Sequence, residues 1–137
     1  MWEISAAVRV TARHRVRVAT RDGWEDGAVH EHRWRIRAVV RARELDATGW
    51  VLDFGALAAG LRALVAPYDG AFINEVPPFD DVNPTRENVA RFLAEELGSR
   101  LDDGRARVHA LEIWEEDVCC ATYLRPADTV PGPQSGE

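Results

Sequence analysis

Three histidines are the residues of this chain best suited to chemistry. Two of them, His30 and His32, stand two apart in V-H-E-H-R-W-R-I-R, residues 29–37. The alternation there predicts a β-strand. In a strand, residues two apart project from one face, roughly 7 Å apart along the chain. Trp34, Ile36, Ala38 and Val40 continue the histidine face, while Glu31, Arg33, Arg35, Arg37 and Arg41 take the other. The third, His14, falls on the apolar side of a second alternating stretch, residues 8–18, with Val8, Val10, Ala12, Val16 and Val18. Neutral imidazoles without partners are costly to bury. One histidine on such a face is more often a satisfied core residue than a ligand. Three on two strands point instead to a metal, and zinc in catalytic sites commonly takes three protein ligands and leaves a fourth position open.

Carboxylates lie close by in sequence. Residues 19–28, A-T-R-D-G-W-E-D-G-A, read as an acidic connection with turn signals at Asp22-Gly23 and Asp26-Gly27. Glu25 or Asp26 could reach the histidines from it; plain solvation is the alternative for either. Cys119 and Cys120 are adjacent, so in a strand they face opposite ways. They make a poor metal pair and an unlikely disulfide, and read as free thiols of a reducing cytoplasm. Every one of the 17 basic residues is arginine, which excludes Schiff-base chemistry through a lysine side chain.

The elements that must position these groups follow from periodicity. After the two strands, Asp53 fits an N-cap, and Phe54, Leu57, Leu61, Leu64 and Val65 have helical spacing. Thr85 caps a second helix, with Glu87 in its first turn and Val89, Phe92, Leu93, Leu97 and Leu101 as its stripe. Residues 107–115 and 118–125 read as a closing hairpin. If that strand is regular, His109 shares a face with Leu111, Ile113 and Glu115 and is structural. Trp24 and Trp34 read as packing residues. The order β-β-α-α-β-β predicts an α+β fold, an antiparallel sheet with both helices on one face. One such sheet has two unpaired edges, which closure into a barrel by oligomerisation would remove. The 137 residues fit one domain over 1–125, and the Pro/Gly-rich residues 126–137 read as a disordered tail. A net charge of -6 argues against nucleic acid or an anionic membrane as the main partner. No apolar run approaches the roughly 20 residues of a membrane span.

With these residues placed, the order of motifs resembles the 6-pyruvoyl-tetrahydropterin synthase / 6-carboxy-tetrahydropterin synthase family, whose members have the tunnelling fold (T-fold). T-A-R-H, ending at His14, resembles its first-ligand strand, and H-E-H, from His30 to His32, resembles its H-G-H. G-W-V-L-D-F at 49–54 resembles G-M-V-x-D-F, and I-N, ending at Asn74, resembles L-N. P-T-R-E-N-V-A at 84–90 resembles P-T-x-E-N-x-A, and E-I-W-E, ending at Glu115, resembles the strand whose glutamate anchors a pterin ring. The resemblance implies zinc on His14, His30 and His32. It implies that Glu115 pairs with the amino-pyrimidine edge of a pterin-like heterocycle, a role that suits a carboxylate accepting two parallel N–H bonds. It further implies a homohexamer of two trimers.

The departures bear on the reaction. The family's proton-transfer cysteine, four residues before H-G-H, corresponds to Asp26, with Glu25 beside it. The family's catalytic Asp-His pair corresponds to Asp69 and Gly70, so the aspartate is kept and the histidine is not. A carboxylate near zinc can serve as a general base. The resemblance therefore implies a zinc-dependent carbon–oxygen or carbon–carbon lyase with Asp26 or Glu25 as base and Asp69 as a further catalytic candidate. Two other readings stay open. One is recruitment to a different small-molecule condensation or cyclisation in secondary metabolism; the other is a non-catalytic, zinc-containing pterin- or purine-binding protein.

Overall fold

A computed structural model describes residues 1–127. It contains β1 (Trp2–His14), β2 (Arg17–Thr20), β3 (Gly23–Asp26), β4 (His30–Ala42), α1 (Phe54–Val65), α2 (Arg86–Leu101), β5 (Ala106–Glu115) and β6 (Cys119–Leu124). The main sheet is antiparallel in the order β1-β4-β5-β6. Both helices pack on one of its faces. The expected α+β architecture is thus the observed one. All but the first two residues of the expected tail lie outside the described residues, and no described helix is long and apolar enough to cross a membrane.

The helices start where their caps dictate. The Asp53 side chain accepts from Gly55 N–H, and the Thr85 hydroxyl accepts from Asn88 N–H. Leu57, Leu61 and Leu64 of α1, with Val89, Leu93 and Leu97 of α2, bury against the inner residues of the sheet. Those inner residues are the alternating ones: Val8, Val10 and Ala12 of β1, Trp34, Ile36, Ala38 and Val40 of β4, and Leu111 and Ile113 of β5. The arginines between them face away.

Three details differ from the sequence-based expectation. The stretch read as one strand over 8–18 breaks at His14, and Val18 is exposed rather than buried. The connection over 19–28 is largely a second, two-stranded sheet, β2 with β3, turning at Arg21 and Asp22. Both faces of this hairpin meet solvent, so no apolar alternation marked it; Trp24, expected to pack, is 68% exposed there. Finally, β5 is not regular. Val39 pairs with Ala110 and Val40 with Val108, so His109 is the extra residue of a bulge. Val108 and Ala106 thereby take the core face, and His109 leaves the face it was expected to share with Leu111.

The break at His14 has a cause. From Thr11 onward the free edge of β1 is satisfied by a single irregular segment. Thr11 donates to the Asp69 carboxylate and accepts from Gly70 N–H. Arg13 donates to the Ala71 carbonyl. The Asn74 side-chain amide both accepts from Arg15 N–H and donates to Arg15 C=O, each at 2.8 Å. Asn83 does the same for Arg17, again at 2.8 Å. Each asparagine stands in for a peptide group of a neighbouring strand. Replacing Asn74 by alanine removes both bonds at once and leaves Arg15 backbone groups part-buried. The expected loss is about 1–3 kcal/mol of unfolding free energy in a urea titration. A loss under about 0.5 kcal/mol would mean this clamp does not order the edge.

Candidate metal centre

The register of β1 and β4 places His14 directly opposite His30, with Ala12 opposite His32. All three rings therefore leave the same end of the same sheet face. The ring centroids of His14 and His32 are 5.0 Å apart, and those of His30 and His32 are 5.8 Å apart. Trp34, the next inward residue on β4, forms the floor. Its ring lies edge-on to His14 at 5.2 Å and parallel to His32 at 6.2 Å.

The tautomers are fixed by what the rings touch. His14 Nδ1 lies 2.8 Å from the Pro84 carbonyl, which can only accept, so Nδ1 carries the proton. His32 Nδ1 donates to Glu115 Oε1 at 2.6 Å. Both rings thus present Nε2, with its lone pair, away from their partners. A ring nitrogen tied to a carbonyl or carboxylate while the other is left free is the arrangement that orients histidine ligands of metals. His30 is exposed, and its ring makes no hydrogen bond among the described residues. As the side chains stand, no three His, Cys, Asp or Glu among the described residues converge closely enough to hold a metal. The donor set nevertheless fits zinc in kind: three imidazoles, two of them oriented, and one free to rotate.

Burial keeps the innermost ring neutral. His14 is 5% exposed, and desolvation pushes its pKa below the ordinary 6.5. The Pro84 carbonyl, which favours the charged form, opposes this, while His32, His30 and Arg86 add to the lowering. A neutral imidazole is the form that binds metal.

Glu115 sits opposite Trp34 in the β4–β5 register, within the cluster. One oxygen holds His32; the other lies 3.3 Å from Arg86 Nη1. Arg86 is the first residue of α2, and sequence reasoning missed it: it occupies a variable position of P-T-x-E-N, where nothing marks it as part of a site. Two buried donor atoms here make no aligned hydrogen bond among the described residues: Trp34 Nε1, and Arg86 Nη1 despite its ion pair with Glu115. Leaving such buried donors unmade costs about 1–3 kcal/mol each.

The carboxylate candidates lie elsewhere. Glu25 and Asp26 are on the exposed β2–β3 hairpin; Asp26 faces Arg17 at 3.8 Å, and neither bonds to a histidine. Asp69 is engaged by Thr11 N–H at the free edge of β1 and bonds to none of the histidines. It lines a cavity of about 530 Å³ whose other residues include Arg9, Thr11, Arg33, Trp34, Arg35 and Asp117. Cys119 and Cys120 are exposed free thiols.

A pH dependence follows from the buried ring. His14 and His109 both have pKa values lowered from 6.5, chiefly by desolvation. Below that value the unfolded chain binds more protons than the folded one, so stability is complete above it and is lost as pH falls toward the folded-state values. The urea midpoint of metal-free protein is expected to drop between about pH 7 and pH 5, and His14→Asn to flatten most of that drop. A wild-type midpoint constant across the window would contradict a neutral, buried His14.

Comparison with known proteins bears on the family and the fold. A family model described as 6-pyruvoyl tetrahydropterin synthase matches residues 3–126. Similar solved structures include the Caenorhabditis elegans 6-pyruvoyl tetrahydropterin synthase, with TM-score 0.74, 18% identity, and 91% of this chain and 96% of that one covered. An uncharacterized protein from Wolinella succinogenes has TM-score 0.71 and 17% identity, with 91% and 98% covered. A Plasmodium vivax 6-pyruvoyltetrahydropterin synthase, solved as a mutant in which a glutamate termed a catalytic residue is alanine, has TM-score 0.62 and 16% identity, with 91% and 99% covered. At these identities the structural likeness concerns the fold. The family match, however, runs through nearly all of the described residues and spans the strands that carry the histidines, and the chain belongs to the 6-pyruvoyl tetrahydropterin synthase family.

Proposed function

We propose that this protein is a zinc-dependent lyase or synthase acting on the side chain of a pterin-like heterocycle. The observation that supports it most is the pair of oriented imidazoles, His14 on the Pro84 carbonyl and His32 on Glu115, with His30 beside them. His14, His30 and His32 would hold zinc through the nitrogens their hydrogen bonds leave free. Zinc there would polarise an oxygen of the substrate side chain and so ease cleavage of an adjacent C–H or C–C bond.

The protein's own groups do the rest. Asp26 or Glu25 takes the proton that the family's cysteine would otherwise carry. A glutamate is described as a catalytic residue of the Plasmodium vivax enzyme, which supports a catalytic carboxylate here. The hairpin that carries both residues projects into solvent, so it is free to complete a site shared between subunits. Such sharing fits a homohexamer built as two trimers, with neighbouring chains covering the sheet's edges. Glu115 holds His32 and, by releasing Arg86, holds the ring edge of the heterocycle. Asp69 belongs to the edge clamp and enters the reaction only through an adjoining subunit. The exposed free thiols suit a cytoplasmic protein.

A second reading has its own support. Both oxygens of Glu115 are engaged, by His32 and Arg86, and the family's relay histidine is Gly70. These features favour a member recruited to another small-molecule condensation or cyclisation.

Metal analysis of the purified protein separates these readings from a metal-free fold. The expected result is about one zinc per chain, lost in His30→Ala, whose exposed ring can be removed with little effect on folding. Zinc-loaded protein is then incubated with dihydroneopterin and with its triphosphate. Turnover reduced by about 10²–10⁴-fold in one of Asp26→Ala and Glu25→Ala identifies the base. Zinc binding without turnover of either compound would overturn the pterin-lyase reading and leave the recruited and the non-catalytic ones.

A further inference from the structure

Trp34 is the feature of the site that a metal does not explain. It is 2% exposed, and its indole N–H has no acceptor among the described residues. The other four tryptophans differ. Trp2, Trp24 and Trp50 are exposed, and Trp114 donates to Glu112 at 2.7 Å. An indole nitrogen cannot ligate a metal, and it cannot accept; it only donates. The same holds for the guanidinium of Arg86, whose Nη1 is also buried and lies 3.3 Å from Glu115 Oε2 without hydrogen-bond alignment. Trp34 and Glu115 are cross-strand partners, so their side chains stand side by side on one face. Arg86 comes down on Glu115 from the start of α2.

Two unmet donors beside one carboxylate ask for an acceptor, and the charges select its kind. Of the three histidines, His32 alone meets a carboxylate among the described residues, that of Glu115. Glu115 is shared between His32 and Arg86 and, among the described residues, accepts nothing from the indole. We infer that Trp34 Nε1 and Arg86 Nη1 form a donor pair that takes an anionic oxygen, that of a carboxylate on the bound small molecule. Arg86 borders this site: its side chain is 30% exposed, and among the described residues its ion-pair partner is Glu115. Charge-assisted donation from a guanidinium, with a neutral N–H beside it, is a strong arrangement for a carboxylate oxygen. Arg86 is then a specificity-determining residue. It closes Glu115 to donor-edged rings until a ligand bearing an anionic oxygen draws it away.

This inference rests on the reading of the histidine cluster as a ligand site, but not on zinc. Its test follows the indole N–H signals of ¹⁵N-tryptophan-labelled protein by NMR, with Trp34→Phe assigning the Trp34 resonance. Acetate, the simplest carboxylate, is titrated against chloride at constant ionic strength. The expected result is a saturable shift of the Trp34 resonance with the other four unmoved. Arg86→Met weakens acetate at least tenfold, Arg86→Lys restores part of the affinity, and His30→Ala keeps the shift. A Trp34 resonance indifferent to acetate, or moving in step with the other tryptophans, overturns the donor pair, as does unchanged affinity in Arg86→Met. A shift lost in His30→Ala likewise overturns it, assigning the acetate to a metal. Zinc content measured on the same samples reports separately on the histidines, so failure of one reading is distinguished from failure of the other.

Discussion

The geometry of this site depends on how one strand edge is satisfied. β1 has a neighbour on only one side in the sheet, β4, and its other edge would expose a row of peptide groups. The 69–83 segment answers every second residue from the end of β1 to the start of β2, with Asp69 and Gly70 on Thr11, Ala71 on Arg13, Asn74 on Arg15 and Asn83 on Arg17. His14 lies in the middle of this run. Holding the backbone on both sides fixes the direction in which its ring leaves the sheet. The same segment ends at Pro84, whose carbonyl sets the ring's tautomer. One continuous stretch of chain therefore holds both the position and the protonation of the innermost histidine.

Electrostatics divides the cluster by depth. His14 is buried and neutral, set against a carbonyl. His32 is half-buried and meets a carboxylate, and His30 is exposed with its ring free. The gradient runs from a rigid interior to a mobile rim, as suits a site whose last element is positioned by what binds. Glu115 is the pivot. It joins β5 to β4 through His32 and joins the sheet to α2 through Arg86. Any ligand that displaces Arg86 must therefore offer Glu115 another donor or Arg86 another acceptor.

Much of this was legible in the sequence because it was written in burial. The β1 and β4 alternation placed His14, His30 and His32 on one face before any coordinates, since each sits in phase with residues that the core buries. Asp53 and Thr85 announced the two helices through cap chemistry. What burial did not write was not legible. The β2–β3 hairpin is exposed on both faces, so its residues carry no apolar period. The bulge at His109 is one residue of register, set by the pairing of Val39 and Val40 and not by any local preference of the chain. Arg86 gave no signal because a surface-type residue at a helix start is ordinary. Only the fold, by bringing α2 over the end of β5, makes it part of the site.

The central claim is that three imidazoles on two paired strands hold zinc. X-ray absorption at the zinc edge of zinc-loaded protein tests it most directly. The account predicts a four-coordinate ion with three imidazole nitrogens and one oxygen at about 2.0–2.1 Å. A shell of sulfur at about 2.3 Å would place the metal on Cys119 or Cys120 instead. That result, or a spectrum without imidazole scattering, would contradict the claim.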